Sequence, residues 1–140
     1  MNRGDNLTIH KNETEFDSLN PDQHISDFVD FTTAVKRRFQ YNNERVSELD
    51  VETQDILHFI EMSGTTRGRA DVYKRLEKIR QERRQCKNEN DMLKPVYEWI
   101  EKNTGSINSL NGAKGSCRKV KDVVTKRMYS LRTDVLSDFQ

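Results

Sequence analysis

Apolar residues recur every seven positions along two long stretches of the chain, and this spacing predicts two long helices. In the first stretch, residues 24–62, two sets of positions three residues apart keep the same period. The sets are Ile25, Thr32, Phe39, Val46, Thr53 and Ile60, and Phe28, Val35, Asn42, Leu49 and Ile56. A double repeat of this kind forms a narrow stripe that a helix buries against another helix.

The second stretch, residues 69–103, carries the same pattern with more basic residues. Its sets are Arg69, Leu76, Arg83, Asn90 and Tyr97, and Val72, Ile79, Cys86, Leu93 and Ile100. Between the stretches, Gly64 lets the backbone leave the helix, and Thr65 or Thr66 is expected to cap the next one. We therefore predict an antiparallel, coiled-coil-like helical hairpin over residues 24–104, with its turn at 63–68.

The register of this hairpin is predicted by its polar positions. Asn42 falls opposite Asn90, and a paired polar layer fixes register because a slip buries an amide without a partner. In the same register Phe39 meets Leu93. Two ion pairs are also expected across the seam, Asp50 with Arg80 and Arg45 with Glu89.

Two places favour interruptions of the helices. Residues 41–43 are poor helix formers and Ser47 is a possible cap, so the first stretch forms either one helix or two. We favour one helix, because the seven-residue phase continues through the region. In the second stretch Pro95 removes a helical hydrogen bond, and we expect a kink or short break between Asn88 and Lys94.

The segments outside the hairpin differ from it in composition. Residues 1–23 show no period and predict an acidic irregular arm, either a disordered terminus or a segment that orders on a partner or across its own hairpin, with Phe16 and Leu19 as anchors. Residues 105–116, rich in Gly, Ser and Asn, predict a loop. Residues 117–140 predict a basic amphipathic helix whose apolar stripe either packs back on the open end of the hairpin or forms a homodimer. That stripe consists of Val120, Val124, Met128, Leu131 and Val135.

Composition agrees with an elongated all-α protein that has a thin core. Of 140 residues, 33% are hydrophobic and 34% are charged, which is too few apolar residues for a large globular core. No apolar run is long enough to span a membrane and no secretory signal is present. The two cysteines are expected to be reduced thiols, which favours a cytoplasmic location.

The net charge of +1 hides a strong asymmetry between the two parts of the chain. Residues 1–63 carry 13 acidic and 6 basic side chains, a balance of −7. Residues 64–140 carry 10 acidic and 18 basic ones, a balance of +8. This asymmetry either draws the two helices together or leaves a basic half free for DNA or RNA.

No motif indicates catalysis, a metal or a cofactor. Residues 112–116 have the residue types of a phosphate-binding loop in the wrong order, and the histidines and cysteines are scattered. We therefore expect a binding protein that is not an enzyme. The candidate contacts for a partner or nucleic acid are Arg67, Arg69, Arg80, Arg83, Arg84, Lys87, Arg118, Lys119, Lys126 and Arg127.

Two strings within the hairpin carry a resemblance. Residues 54–58 (QDILH) and 78–87 (KIRQERRQCK), joined by a short turn, resemble small helical-hairpin proteins encoded by phages and prophages of Gram-positive bacteria. The resemblance covers about residues 45–100 and carries over no functional residue. It implies a small, non-enzymatic protein of a mobile element that binds host machinery or nucleic acid. Our leading hypothesis is a binding protein that inhibits or redirects a host protein through the hairpin and arm, and the alternative is a nucleic-acid-binding protein that uses the basic C-terminal half.

Overall fold

A computed structural model describes residues 19–63 and 68–138, with side chains up to residue 127. It contains α1 (Pro21–Ser63), α2 (Arg69–Lys102) and α3 (Thr104–Asp138), and the described residues form no strand. The all-α prediction is confirmed. Phe16, Arg67, most of the predicted arm and the centre of the predicted turn lie outside the described residues.

The chain divides into two compact units. Residues Thr32–Lys102 form the paired-helix unit, made of most of α1 and all of α2. The described residues 19–31 and 103–138 belong to the terminal unit, made of the start of α1 and all of α3.

The first helix begins earlier than the predicted arm ends. The carbonyl of Asn20 accepts hydrogen bonds from the amides of Gln23 and His24, both at 3.2 Å, which places Asn20 at the N-cap. Pro21 follows at the first helical position, where its missing amide proton costs no hydrogen bond. The prediction of an irregular arm to residue 23 is therefore wrong for its last three residues.

The same helix runs without a break through residues 41–43. Ser47 does not cap a new helix, because its hydroxyl donates to the carbonyl of Asn43 at 3.2 Å within the helix. Asn42 is fully buried at its seam position, so tertiary packing outweighs the low helix propensity of this segment. The preference for one helix is confirmed.

The second helix begins and continues differently from the prediction. Gly68, with φ of 85°, precedes α2, and its carbonyl accepts the amide of Val72 at 3.1 Å. Glycine adopts this left-handed conformation without a Cβ penalty. Of the kink or short break expected between Asn88 and Lys94, the break is absent, since α2 is one helix from Arg69 to Lys102. Pro95 is exposed, so water can satisfy the carbonyl it leaves unpaired, while Tyr97 and Ile100 keep the helix packed.

The core of the paired-helix unit follows the predicted stripe. Its buried side chains all occupy seven-residue repeat positions, and they are Thr32, Val35, Asn42 and Leu49 of α1 with Leu76, Ile79, Cys86 and Ile100 of α2. This core is narrow, as the low apolar content of the chain predicts.

Contacts between α1 and α2 pair early residues of one helix with late residues of the other. Lys36 forms an ion pair with Glu101 at 3.4 Å near one end, and Glu52 forms one with Arg75 towards the other. Between them, the Asn42 side-chain amide donates to Asn90 Oδ1 at 2.9 Å, so the predicted asparagine contact is confirmed. This is the order of contacts between antiparallel helices.

Several neighbours in this register differ from the predicted ones. Arg45 bonds to Glu82 and Glu48, while Glu89, its expected partner, is bonded to Arg38. Asp50 accepts from Arg83 at 2.8 Å instead of pairing with Arg80. The aromatic ring of Phe39 stacks on Tyr97, with centroids 4.1 Å apart, although Leu93 was the expected neighbour.

The third helix begins at Thr104, so the prediction of a loop over residues 105–116 is wrong. The carbonyl of Asn103 accepts the amide of Ile107 at 3.0 Å and starts the helix. Ile107 is buried, and Leu110 and Cys117 are half-buried at helical spacing. This packed stripe outweighs the glycines, each of which costs about 0.5–1 kcal/mol relative to alanine inside a helix.

Candidate functional site

A polar layer lies in the middle of the paired-helix unit. The Asn42 amide nitrogen donates to Asn90 Oδ1 and, at 3.2 Å, to Glu89 Oε1. Asn90 in turn donates to the Phe39 carbonyl at 3.1 Å and to Asn43 Oδ1 at 3.0 Å. Asn42 Oδ1 is buried and has no hydrogen-bond partner among the described residues. An unsatisfied buried acceptor costs about 1–3 kcal/mol, so this layer reduces stability while it fixes register.

One side of the paired helices carries a ladder of ion pairs, which we call the paired flank. Its residues recur every seven positions on each helix, and its pairs are Arg38–Glu89, Arg45–Glu82 and Glu52–Arg75. Arg45 binds Glu82 through two nitrogens, at 2.6 and 3.0 Å, the bidentate geometry that strengthens such pairs. The charges on this flank are therefore paired with one another within the unit.

These pairs change the protonation of both glutamates. The hydrogen bond from Arg45 lowers the pKa of Glu82 below its ordinary value. The pKa of Glu89 is lowered by the hydrogen bond from Arg38 and then by that from Asn42. Both carboxylates are thus held in their charged form at lower pH than in the unfolded chain.

The opposite side of the paired helices carries unbalanced positive charge, and we call it the cationic flank. On α2 its seven-residue positions are Tyr73, Arg80, Lys87 and Lys94, and Arg84 lies one turn after Arg80. The corresponding positions of α1 are Lys36, Asn43, Asp50 and Leu57. Lys36 is paired with Glu101, the next position of the α2 series, and Asp50 is bonded to Arg83. The other residues of these series, and Arg84, are exposed. Within the described part of the chain, Arg80, Arg84 and Lys87 form no ion pair.

A shallow cleft lies on α2 at the cationic flank. It has a volume of about 330 Å³ and is lined by Tyr73, Leu76, Glu77, Arg80, Gln81 and Arg84. The Tyr73 side chain is 61% exposed. The cleft therefore places an accessible aromatic ring beside two guanidinium groups, an amide and a carboxylate.

The outer face of α1 carries exposed apolar side chains near the end of the helix, and we call this the outer patch. It consists of Val51, Phe59 and Met62, which are 62%, 61% and 80% exposed. Spacings of eight and three residues keep them within about a quarter of the helix circumference, with Val51 and Met62 facing away from the seam and Phe59 at the position seven residues after Glu52 of the paired flank. None of them belongs to the buried core.

The terminal unit contains a larger open groove between the start of α1 and α3. Its volume is about 870 Å³, and Leu19 and Pro21 on one side face Cys117, Val120 and Val124 on the other. Leu19, a predicted anchor of the arm, is therefore an exposed wall residue of this groove. At its rim Asp22 lies 3.9 Å from Arg118 and 3.8 Å from Lys121.

The predicted contact residues fall into three groups in the structure. Arg80, Arg84 and Lys87 lie together on the cationic flank, whereas Arg83 is bonded to Asp50. Arg69 is exposed at the start of α2. In the terminal unit Arg118 lies near Asp22, while Lys119, Lys126 and Arg127 are exposed.

Sequence reasoning missed the outer patch and the difference between the two flanks. The flank difference has a signal in the sequence, since the two seven-residue series beside the seam differ in charge. The outer patch has a weaker one, because isolated exposed apolar residues are common on protein surfaces.

The cysteines and the acidic residues show no chemical grouping in the described part of the chain. Both cysteines are free, and burial raises the pKa of the Cys86 thiol. No three His, Cys, Asp or Glu side chains among residues 19–63 and 68–127 lie where they could hold a metal ion. A membrane-crossing helix is likewise absent from the described residues.

Comparison of the chain with protein-family models, curated proteins and solved structures finds no match. The function of the chain is therefore inferred from the geometry of these surfaces.

Proposed function

We propose that this chain is a non-enzymatic binding protein, an antiparallel helical hairpin of coiled-coil type that binds another protein through the outer patch. The observation that carries the proposal is the exposure of Val51, Phe59 and Met62 on one side of a long packed helix. Large apolar side chains that cluster on a surface are characteristic of protein-binding sites. Phe and Met are also enriched in such interfaces.

The paired helices support this function by holding the patch in place. Leu49 is fully buried beneath this part of α1, and the Glu52–Arg75 pair joins the two helices close to the patch. A partner therefore meets a surface that is already ordered, which lowers the entropic cost of binding. In the setting that the resemblance implies, binding of this kind inhibits or redirects a bacterial host protein.

The test compares three tagged full-length proteins in pull-downs from a lysate of a Gram-positive bacterium. The patch variant combines Phe59→Asp with Met62→Asp. The control is Met92→Asp, which changes a side chain that is also 80% exposed but lies on α2. Circular dichroism checks that all three proteins keep their helix content.

We expect the wild type and the control to recover the same protein in stoichiometric amounts, and the patch variant to recover at least tenfold less. This loss corresponds to roughly 1.4 kcal/mol or more of binding free energy. Equal recovery by all three proteins, or recovery of no stoichiometric partner by the wild type, contradicts the proposal.

A further inference from the structure

The cationic flank has a chemistry that the outer patch lacks. Arg80, Arg84 and Lys87 are exposed cations within about 10 Å along α2, given a rise of about 1.5 Å per residue. Their charges are not neutralised by ion pairs among the described residues. They differ in this respect from Arg83 and Arg75, which form ion pairs with Asp50 and Glu52.

The acidic residues of α1 do not cancel this charge. Glu48 bonds to Arg45, Asp50 to Arg83 and Glu52 to Arg75. The side of α1 that borders the flank offers Asn43 and Leu57 at other repeat positions, and its Lys36 is paired with Glu101. On α2 the exposed carboxylates on this side are Glu77 and Asp91, against the four cations Arg80, Arg84, Lys87 and Lys94. Positive charge is therefore in excess on this side of the unit although the whole chain carries a net charge of only +1.

The Tyr73 cleft adds a second, independent feature. Its exposed ring offers a flat apolar face, and Arg80 and Arg84 supply cations at the same cleft. Gln81 offers both a donor and an acceptor, while the Glu77 carboxylate offers acceptors only. Aromatic stacking beside cations is the combination that proteins use to bind unpaired bases and their phosphates.

We propose that the cationic flank binds single-stranded nucleic acid, with a base stacked on Tyr73 and the phosphodiester backbone along Arg80, Arg84 and Lys87. This function goes beyond the proposed protein binding and uses different residues. The Glu77 carboxylate repels phosphate but accepts a hydrogen bond from the amino group of a base. A duplex leaves no base face free for Tyr73, so the flank favours single strands over duplex.

The test measures fluorescence anisotropy of a labelled 20-nucleotide thymidine strand with the full-length protein. Thymine lacks the exocyclic amino group from which Glu77 would accept a hydrogen bond, so with this probe the assay reports chiefly the contributions of Tyr73 and the cations. With three phosphate contacts we expect a slope of log K against log salt of about −2, because each single-strand contact contributes about −0.7. Affinity then falls roughly 15- to 20-fold between 50 and 200 mM salt.

Matched variants distinguish binding at the cationic flank from nonspecific attraction of the strand to positive charge elsewhere on α2. Arg80→Glu with Arg84→Glu should weaken binding at least tenfold. Lys74→Glu with Lys78→Glu makes the same change in net charge at exposed positions of α2 outside the flank, and should weaken binding less than threefold. Tyr73→Ala should cost about fivefold or more for the single strand, the lower end of base stacking.

Four results would overturn the proposal: no binding at 50 mM salt, equal losses from the two charge variants, no effect of Tyr73→Ala, or tighter binding of a 20-base-pair duplex. Competition by poly-glutamate as strong as that by unlabelled strand would also overturn it, in favour of an acidic protein surface. The outer-patch variant Phe59→Asp with Met62→Asp should bind the strand normally, so failure of either proposed function is recognised separately.

Discussion

The two flanks of the paired helices share a seven-residue spacing but differ in how their charges are paired. On the paired flank, Arg38 and Arg45 of α1 meet Glu89 and Glu82 of α2, and the sign reverses where Glu52 meets Arg75. On the cationic flank, Arg80, Lys87 and Lys94 of α2 lie opposite Asn43, Asp50 and Leu57 of α1, and the Lys36–Glu101 ion pair lies beyond them. The same seven-residue spacing thus produces an internal ladder on one side and an available charged surface on the other.

Charge content alone does not identify a binding surface. Arg75 and Arg84 are both exposed arginines on α2. The first is engaged by a carboxylate of the facing helix, whereas the second has no such neighbour among the described residues. Exposed ion pairs contribute little stability individually, so the ladder matters chiefly for which charges it removes from the surface.

The largest expected effect comes from the polar layer that holds the flanks in register. Replacing Asn42 and Asn90 together with leucine removes the unsatisfied Asn42 oxygen and adds apolar burial. We expect the free energy of unfolding to rise by about 1–3 kcal/mol. We also expect the unique register to weaken, as it does when a seam asparagine is lost from a coiled coil.

Urea unfolding measures the stability of this double variant, and a pair of cysteines introduced for Arg45 and Glu82 reports the register by disulfide formation. A variant that is less stable than the wild type, or that keeps one register, contradicts this account of the layer.

The next effect separates the flanks directly by reversing one charge on each. Arg45→Glu places a third carboxylate beside Glu82 and Glu48, and we expect the thermal midpoint to fall by roughly 3 °C at low salt. Arg80→Glu removes repulsion from Arg84 and Lys87, and should leave the midpoint unchanged or higher.

Differential scanning calorimetry at two salt concentrations checks both reversals. The exchange Arg45→Glu with Glu82→Arg should restore most of the loss, because it rebuilds the pair in the opposite sense. Equal loss from the two single reversals would show that the flanks do not differ.

The smallest effect is the pH dependence of the paired flank. Because the folded-state pKa values of Glu82 and Glu89 are lowered, their contribution to stability is present above the ordinary carboxyl pKa of 4.5 and is lost as pH falls through the lower folded-state values. Glu82→Gln with Glu89→Gln should reduce the fall in thermal midpoint between pH 5 and pH 3.

Glu77→Gln serves as the control for this measurement, since Glu77 is exposed on the cationic side and should leave the slope nearly as it is in the wild type. If the double variant keeps the wild-type pH dependence of the thermal midpoint, Glu82 and Glu89 do not make this contribution to stability.

Much of the paired-helix unit was predictable because its signal is repeated many times. Every buried residue in this unit falls on a seven-residue position, and the Asn42–Asn90 contact follows from the same register. Individual ion pairs were less predictable, since long side chains such as Arg45 reach carboxylates in more than one turn. The flank assignment is more robust than the pairs, because it depends on helix position and not on side-chain conformation.

The errors occurred where local propensity and packing disagree. Gly105, Gly112 and Gly115 favour a loop, yet Ile107, Leu110 and Cys117 give α3 a packed face that includes this segment. Pro95 similarly lies in a helix because its ring is exposed while its neighbours are packed. Packing across distant parts of the chain decides such cases, and a single sequence reports it only through short apolar stripes.

The reactivity of the buried Cys86 thiol is a probe of how often the two helices of the paired-helix unit separate. The sulfur lies in the seam with 6% of the residue accessible, and burial raises its pKa, so a thiol reagent reacts with it slowly while the helices are paired and faster when they separate. The alkylation rate of Cys86 therefore depends on how often the two helices separate. A bound partner that holds the helices closed will be visible as slower alkylation, even when it touches neither cysteine.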